Sequence, residues 1–553
     1  MSFVSEKIIE TKSCQQCQIS FSITDKDLEF YGKVSPVFEK KYSIPAPNSC
    51  PGCREQQRFS FRNERKLYKR ECDAVGKSII SIYSPDKSYK VYSQEFWWSD
   101  EYNPTDYMEI DFSQSFFEQY EKLFLKVPKS AIQNADSVNS EYTNYSHNNK
   151  NCHLLVAGWC EDCQYGYRIV ETKHTIDSFD LSGCENNYEC VECRLYGSRH
   201  SRCSDSSNLD HCEYCVNCKD CFGCINLTGK QYHIFNKPYD KQDYEREIRE
   251  LQKNPEQTDK QFADLRSSSP CKSIFQVGCE NVSDQLTNCE NCQECYYLRE
   301  SQDIKHSSFT ENKHSQDINF VDQCELQYNA TNLQKNYKVA FGFLVWTVTD
   351  SYYVSNCMSN LFLCTGIKDS KYCILNKQYT KREYEELVPK IIEKMKEAGE
   401  WGEFFPTNMS PFGYNETVAN DHFLLESSDV QKKFNWSDYE APLPKVDKTI
   451  PASKFPDNII DIPDDILNWA VECEVTKKPF RIIPQELKFY RKHNLPIPKR
   501  HPDQRHLDRM SLINPRRLFA RNCNKCSKDI QTTYTPERKE IVYCESCYDK
   551  EIY

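Results

Sequence analysis

At 553 residues the chain is long enough for several domains, and 31 cysteines at this length exclude a small secreted disulfide scaffold. A net charge of −11 excludes wholesale coating of nucleic acid but permits local basic patches. Aromatic residues make up 13% of the chain, too many for a disordered polymer and well suited to sheets with half-exposed faces. Residues 1–11 carry Glu6 and Glu10 and lack the apolar stretch of a signal peptide, and no apolar run is long enough to span a membrane. The cysteines are therefore read in a reducing cytoplasm, as metal ligands or buried thiols.

Residues 12–102 predict a first zinc module. Cys14 and Cys17 form one C-x2-C pair, and Cys50 and Cys53 form another. Two such pairs supply the four thiolates of a closed tetrahedral zinc site. The second pair runs into a helical pattern, the arrangement of a treble-clef finger. Arg54, Arg58, Arg62, Arg65 and Lys69 recur on it at helical spacing. Such a zinc-pinned basic helix could contact phosphates; basic stripes alone are weak evidence, and the reading weighed above it is a solvated face whose arginines pair with the many carboxylates.

Residues 103–150 read as a connector, with a helix over Ser113 to Lys126 that ends before Pro128 and then an Asn/Ser-rich loop over 134–150. Residues 151–260 and 261–400 are the two halves of a duplication offset by 140 positions: Tyr232, Asn236, Lys237 and Tyr244 return as Tyr372, Asn376, Lys377 and Tyr384. Each half ends in a charged amphipathic helix, from Lys241 to Lys253 and from Thr380 to about Ala398, with Pro389 a kink or a restart. Short strands between Asn/Asp/Ser turns, with cysteines at intervals of about twenty residues, predict a parallel β-solenoid, although glycine is scarce and the rhythm drifts.

Cys212, Cys215, Cys218, Cys221 and Cys224 lie at x2 spacing in the first half. The run admits three readings: a column of buried thiols, further zinc, or an iron–sulfur cluster. The ferredoxin pattern's closing Cys-Pro is missing, which favours packing.

Residues 401–470 hold an aromatic loop, Phe404 to Asn415, read as a packing loop between domains, and a proline-rich, semi-rigid linker. Residues 471–553 repeat the first module. Arg505, Arg509, Asn514, Arg516 and Arg521 fall on Arg54, Arg58, Asn63, Arg65 and Arg70. Here Cys523, Cys526, Cys544 and Cys547 complete a site, while Cys473, Thr476, His501 and Gln504 stand where the first copy has its ligands. The first copy in turn has Cys72, Val75, Ser93 and Phe96 at the second position. Two structural zincs and two zinc-free copies follow. Overall the fold class is mixed and β-rich, with treble-clef or zinc-ribbon modules at both ends of a duplicated, cysteine-rich, solenoid-like domain with helices.

At Phe480 to Tyr490, at Cys523–Cys526 through Tyr548, and at Cys50-Pro-Gly-Cys53 with Arg62-Asn-Glu-Arg65, the chain resembles uncharacterised bacterial zinc-ribbon proteins. The resemblance implies zinc-ribbon ends and a cytoplasmic setting but no activity. The expected function is a non-enzymatic scaffold binding a macromolecule, protein or RNA, with Arg54, Arg58, Arg62, Arg65, Arg505, Arg509, Arg516 and Arg521 as nucleic-acid contacts. A redox protein using the central cysteines and a solenoid enzyme acting on polysaccharide are the alternatives. No P-loop, dinucleotide fingerprint, H-E-x-x-H or nucleophile elbow occurs, so a small-molecule substrate is not expected.

Overall fold

The computed structural model describes residues 6–552, apart from 105, 194, 197, 199–200, 252–253, 278, 280–283, 358–359, 426, 443 and 457. It divides into two compact units. The first comprises Met1–Ala131, Ile274–Asp438 and Arg516–Leu518; the second comprises Ile132–Ser273, Tyr439–Pro515 and Phe519–Tyr553. The N-terminal module thus shares a unit with the second half of the repeat, and the C-terminal module with the first half.

The repeat is a parallel β-solenoid with a coil of twelve residues over most of its length, shortened to eleven where Leu195 pairs with Ser206 and Gln302 with Lys313. Tyr167 pairs with Phe179, Phe179 with Val191, and Lys219 with Gln231. In the other unit Glu325 pairs with Tyr337 and Tyr337 with Thr349. Backbone φ turns positive at every third residue, as at Asn208, His211, Tyr214, Asn217, Asp220 and Gly223. Each left-handed residue makes a corner, and the residue after it points into the lumen, as Leu209, Cys212, Cys215, Cys218, Cys221 and Cys224 do. Four three-residue sides close one coil. The x2 cysteine spacing is therefore the side length of the coil, and the interval of about twenty residues noted in the sequence is no structural period.

Glycine is scarce because Asn, Asp, His and Tyr serve most corners. Asn and Asp tolerate the left-handed region through local hydrogen bonds. On the outside, the corner side chains form short amide and carboxylate ladders, such as Asn139–Asn151 at 3.1 Å and Asn208–Asp220 at 2.9 Å.

The lumen explains the cysteines. The backbone N–H of an inward residue is accepted by the inward side chain one coil earlier: Cys152 N–H by Ser140 Oγ at 3.0 Å, Cys218 N–H by Ser206 Oγ at 2.9 Å, and Cys224 N–H by Cys212 Sγ at 3.4 Å. The same side chains donate to the carbonyl two residues back, Ser206 to Ser204 at 2.7 Å and Cys212 to Asp210 at 3.3 Å. Ser, Thr and Cys both accept and donate through one γ atom, and Asn336 fills the same place with its amide, accepting from Val348 N–H and donating to the Gln334 carbonyl. An unmet buried N–H would cost about 1–3 kcal/mol. Cysteine adds the apolar character that a closed lumen favours.

The Asn/Ser-rich stretch over 134–150, expected as a loop, forms the first coils, with strands Asn134–Ala135 and Ser146–His147 paired in register. The helix Phe116–Lys126 forms as expected, capped by Ser115. The terminal helices of the two halves are Lys241–Leu251 and Lys381–Glu397; the latter continues through Pro389, and residues 252–253 of the former lie outside the described residues. The aromatic loop packs inside the first unit: Phe404 meets Phe61 at 5.3 Å and Phe405 stacks on Tyr120 at 4.7 Å. Part of the expected proline-rich linker is structured. Lys448–Pro451 is a strand, and three 3-10 turns follow it.

Candidate metal centres

Four hairpin turns share one shape. Each begins at a cysteine, at Cys14, Cys72, Cys473 or Cys523, and each has a left-handed residue four positions on, at Gln18, Gly76, Lys477 or Ser527. In each hairpin the cysteine lies between the two antiparallel strands. A knuckle of this kind directs backbone N–H groups at the sulfur. Cys50 N–H reaches Cys14 Sγ at 3.2 Å, and Cys544 N–H reaches Cys523 Sγ at 3.2 Å.

Two of the four knuckles meet a second cysteine pair at a helix N-terminus. Cys50 caps the helix Pro51–Phe59, with Pro51 preset for the first turn. Cys544 precedes the helix Glu545–Ile552. The sulfurs of Cys14, Cys17, Cys50 and Cys53 lie within 4.8 Å of one another, as do those of Cys523, Cys526, Cys544 and Cys547. Cys17 and Cys50 stand 3.6 Å apart and Cys526 and Cys544 3.8 Å. A tetrahedron with metal–sulfur bonds of about 2.3 Å has edges of about 3.8 Å, so the donor set fits a four-thiolate metal ion.

Hydrogen bonds hold Cys14, Cys50 and Cys523 below the ordinary thiol value, whereas Cys17, Cys53 and Cys547 are raised. Burial opposes ionisation of Cys523, but N–H groups of Cys544, Cys526 and Lys525 bring it down to about 6. Hydrogen bonding from the Cys53 thiol lowers Cys50 to about 5. The other two knuckles keep the shape without the cage: Ser93 N–H still reaches Cys72 Sγ at 3.1 Å, and Thr476 N–H reaches Cys473 Sγ at 3.5 Å. His501 caps the helix Pro502–Met510 through its own side chain.

Four of the arginines expected as nucleic-acid contacts are buried against the solenoid. Arg54, Arg58, Arg505 and Arg509 are each 5% exposed or less. Arg54 binds Asp317 at 2.8 Å, and Arg58 lies 3.6 Å from the same carboxylate while donating to Asn319 and Asn329. In the other unit Arg505 and Arg509 grip Asp177, Arg509 at 2.9 Å. The helix after the first knuckle of each module, Pro51–Phe59 behind a four-cysteine cluster and Pro502–Met510 behind the cage-less Cys473 knuckle, thus wedges two arginines into its own solenoid half. Burial lowers Arg58 to about 10, which leaves it charged at neutral pH. Arg62 pairs with Glu64 and lies over the Phe320 ring at 4.0 Å. Arg516 pairs with Glu55 at 3.3 Å. Arg521 donates to the Thr535 and Glu540 carbonyls, and Arg65 is half-buried. The expected basic face is a set of internal ties, because the helix packs its arginines inward against buried acids.

Asp177 and Asp317, which the arginine pattern did not reveal, sit at the same offset of 140 as the rest of the duplication. The signal was present: two acids in equivalent coils, each matched to an Arg-x3-Arg pair in a repeated module. Tyr31 packs on Tyr328 at 5.0 Å and Tyr490 on Tyr188 at 6.0 Å, a second matched pair.

No family model and no curated protein matches the chain. Among solved structures, one similar chain is a putative acetyltransferase from Desulfovibrio desulfuricans G20, at 10% identity over 48% of this chain and 79% of that one, with a TM-score of 0.11. A score this low carries no argument about fold or activity. The zinc-ribbon resemblance therefore stands on the two cysteine clusters and on no matched relative.

Cys212, Cys215, Cys218, Cys221 and Cys224 form a stack along the lumen and not a cage. Among the described residues, the two end clusters are the groups that gather three or more donor atoms within 4.8 Å. Burial raises the Cys212, Cys295 and Cys364 thiols well above their ordinary value. No described helix is long and apolar enough to cross a membrane.

Proposed function

We propose that the chain is a zinc-stabilised binding scaffold that engages a protein partner in a reducing, cytoplasmic compartment. The observation that carries this reading is the pair of closed tetracysteine clusters. Four protein thiolates fill a tetrahedral ion's coordination sphere and leave no open position for substrate, so such sites hold shape. Thiolate ligands and stacked lumen thiols also need reducing surroundings. A solenoid presents long regular surfaces to partners. A protein partner is favoured over RNA because Arg54, Arg58, Arg505 and Arg509 are spent on buried carboxylates.

In-cell cross-linking and mass spectrometry test the reading. A stoichiometric protein partner is expected with the wild-type chain and is lost with Cys14→Ser plus Cys523→Ser. Recovery of RNA alone, or of no partner, refutes it. One observation favours a second reading. An open groove on the second solenoid half is lined by Glu300, Glu311 and Glu325 beside Lys313, Lys335 and Tyr337, a lining suited to a polysaccharide. Glycan-array binding lost in Tyr337→Ala would support that alternative.

A further inference from the structure

The two modules differ in what covers their first strand. In the C-terminal module the strand Trp469–Glu472 pairs on one edge with Pro479–Phe480 and on the other with the parallel strand Lys448–Pro451. The chain then crosses back through short turns whose Phe455, Ile459, Ile462 and Ile466 bury Val471 and Leu487. In the N-terminal module the equivalent strand, Ile8–Ser13, pairs among the described residues with Ser20–Thr24 alone. No other described strand pairs with its second edge.

The corresponding surface of the N-terminal module is exposed among the described residues. Leu28 occupies the place of Leu487 and is 43% exposed where Leu487 is 4%. Thr11 and Lys12 stand where Ala470 and Val471 are buried. Ile8 and Ile9 on the Ile8–Ser13 strand are 60% and 49% exposed. An unpaired edge strand with β-branched side chains beside an apolar patch is a template for strand addition.

We infer that this edge is a docking site for an extended segment of a partner protein. The segment adds parallel to Ile8–Ser13 and follows with apolar residues that cover Leu28. The inference rests on the scaffold reading and names the surface and the partner's chemistry. The chain supplies the template for its occupant, residues 446–468. It also supplies the register. Lys448 pairs with Trp469 and lies 3.2 Å over its ring, and Glu10 replaces that tryptophan in the N-terminal module. The partner residue facing Glu10 is therefore basic, since opposite charges across a ladder are favourable and like charges are not.

The test uses the metal-loaded full-length chain and a fluorescein-labelled peptide of residues 446–468, read by anisotropy. Saturable binding is expected, weakened at least about five-fold by Glu10→Lys and restored by a Lys448→Glu peptide. Leu28→Glu is expected to abolish it while leaving metal content unchanged. Absence of saturable binding, or binding indifferent to both substitutions, overturns the inference. So does self-association that Leu28→Glu abolishes, which would assign the edge to a second copy of the chain. A cross-linked partner that persists in Leu28→Glu would sink this site and leave the scaffold reading standing; loss of every partner from the wild-type experiment would sink the scaffold reading itself.

Discussion

Removing the carboxylate of Asp177 should be among the most damaging single changes in the second unit. Its side chain is fully buried and accepts from both Arg505 and Arg509. Without it, Arg505 keeps Glu486 at 3.3 Å, and Arg509 keeps a 3.4 Å contact with the Tyr165 carbonyl. Two charge-assisted hydrogen bonds disappear, each worth about 1.5–3 kcal/mol, and desolvated charge is left behind. The expected loss for Asp177→Asn is about 3–5 kcal/mol, the range for breaking a buried ion pair by removing one partner. Asp317→Asn should cost less, about 2–3 kcal/mol, because Arg58 stands 3.6 Å from that carboxylate and is also held by Asn319 and Asn329. The chain is too large for a single two-state transition, so hydrogen exchange under urea, read on peptides from 165–180 and 484–510, is the assay. A loss below about 1 kcal/mol for Asp177→Asn would mean the arginines are solvated, and the wedge argument would fail. Joint replacement of Asp177, Arg505, Arg509 and the buried Glu486 by Leu, Met, Met and Gln should restore most of the loss, since no charge of this cluster then remains buried.

Metal analysis should find two zinc ions per chain; Cys17→Ser and Cys526→Ser should each remove one, and Cys72→Ser and Cys473→Ser none. Anaerobically purified protein should show no visible iron–sulfur absorbance, and its appearance would return Cys212 to Cys224 to redox chemistry. In the lumen, Cys212→Ser keeps an acceptor for Cys224 N–H and should shift stability by less than about 1 kcal/mol, whereas Cys212→Ala strands that N–H and should cost about 1–3 kcal/mol, both read by hydrogen exchange under urea on peptides spanning 206–226. Asp27 is opposed by burial but held below its ordinary value by Lys305, 2.9 Å away. Its contribution is therefore present above the unfolded value near about 4 and is lost as pH falls through the lower folded value, and Asp27→Asn should flatten the acid limb of the stability curve.

The sequence by itself determined the two four-cysteine clusters, the two duplications and the solenoid class. Each is written in local spacing: a C-x2-C knuckle fixes its own turn, and a tandem copy repeats its own pattern. It also offered buried thiols as one reading of the central cysteines, but not their purpose, since the bond from Cys224 N–H to Cys212 Sγ joins successive coils and exists only once the coil length is known. The three-residue side was hidden because residues of many kinds serve the corners. Tertiary structure alone decided where Arg54, Arg58, Arg505 and Arg509 point. A basic stripe looks the same in sequence whether it faces water or an acid, and Asp317 lies 263 residues from the Arg54 it holds. It alone showed that each terminal module packs on a distant half of the repeat, and that the strand covering Trp469–Glu472 has no counterpart over Ile8–Ser13 among the described residues. Those pairings depend on which surfaces meet after folding, and spacing along the chain carries no record of that.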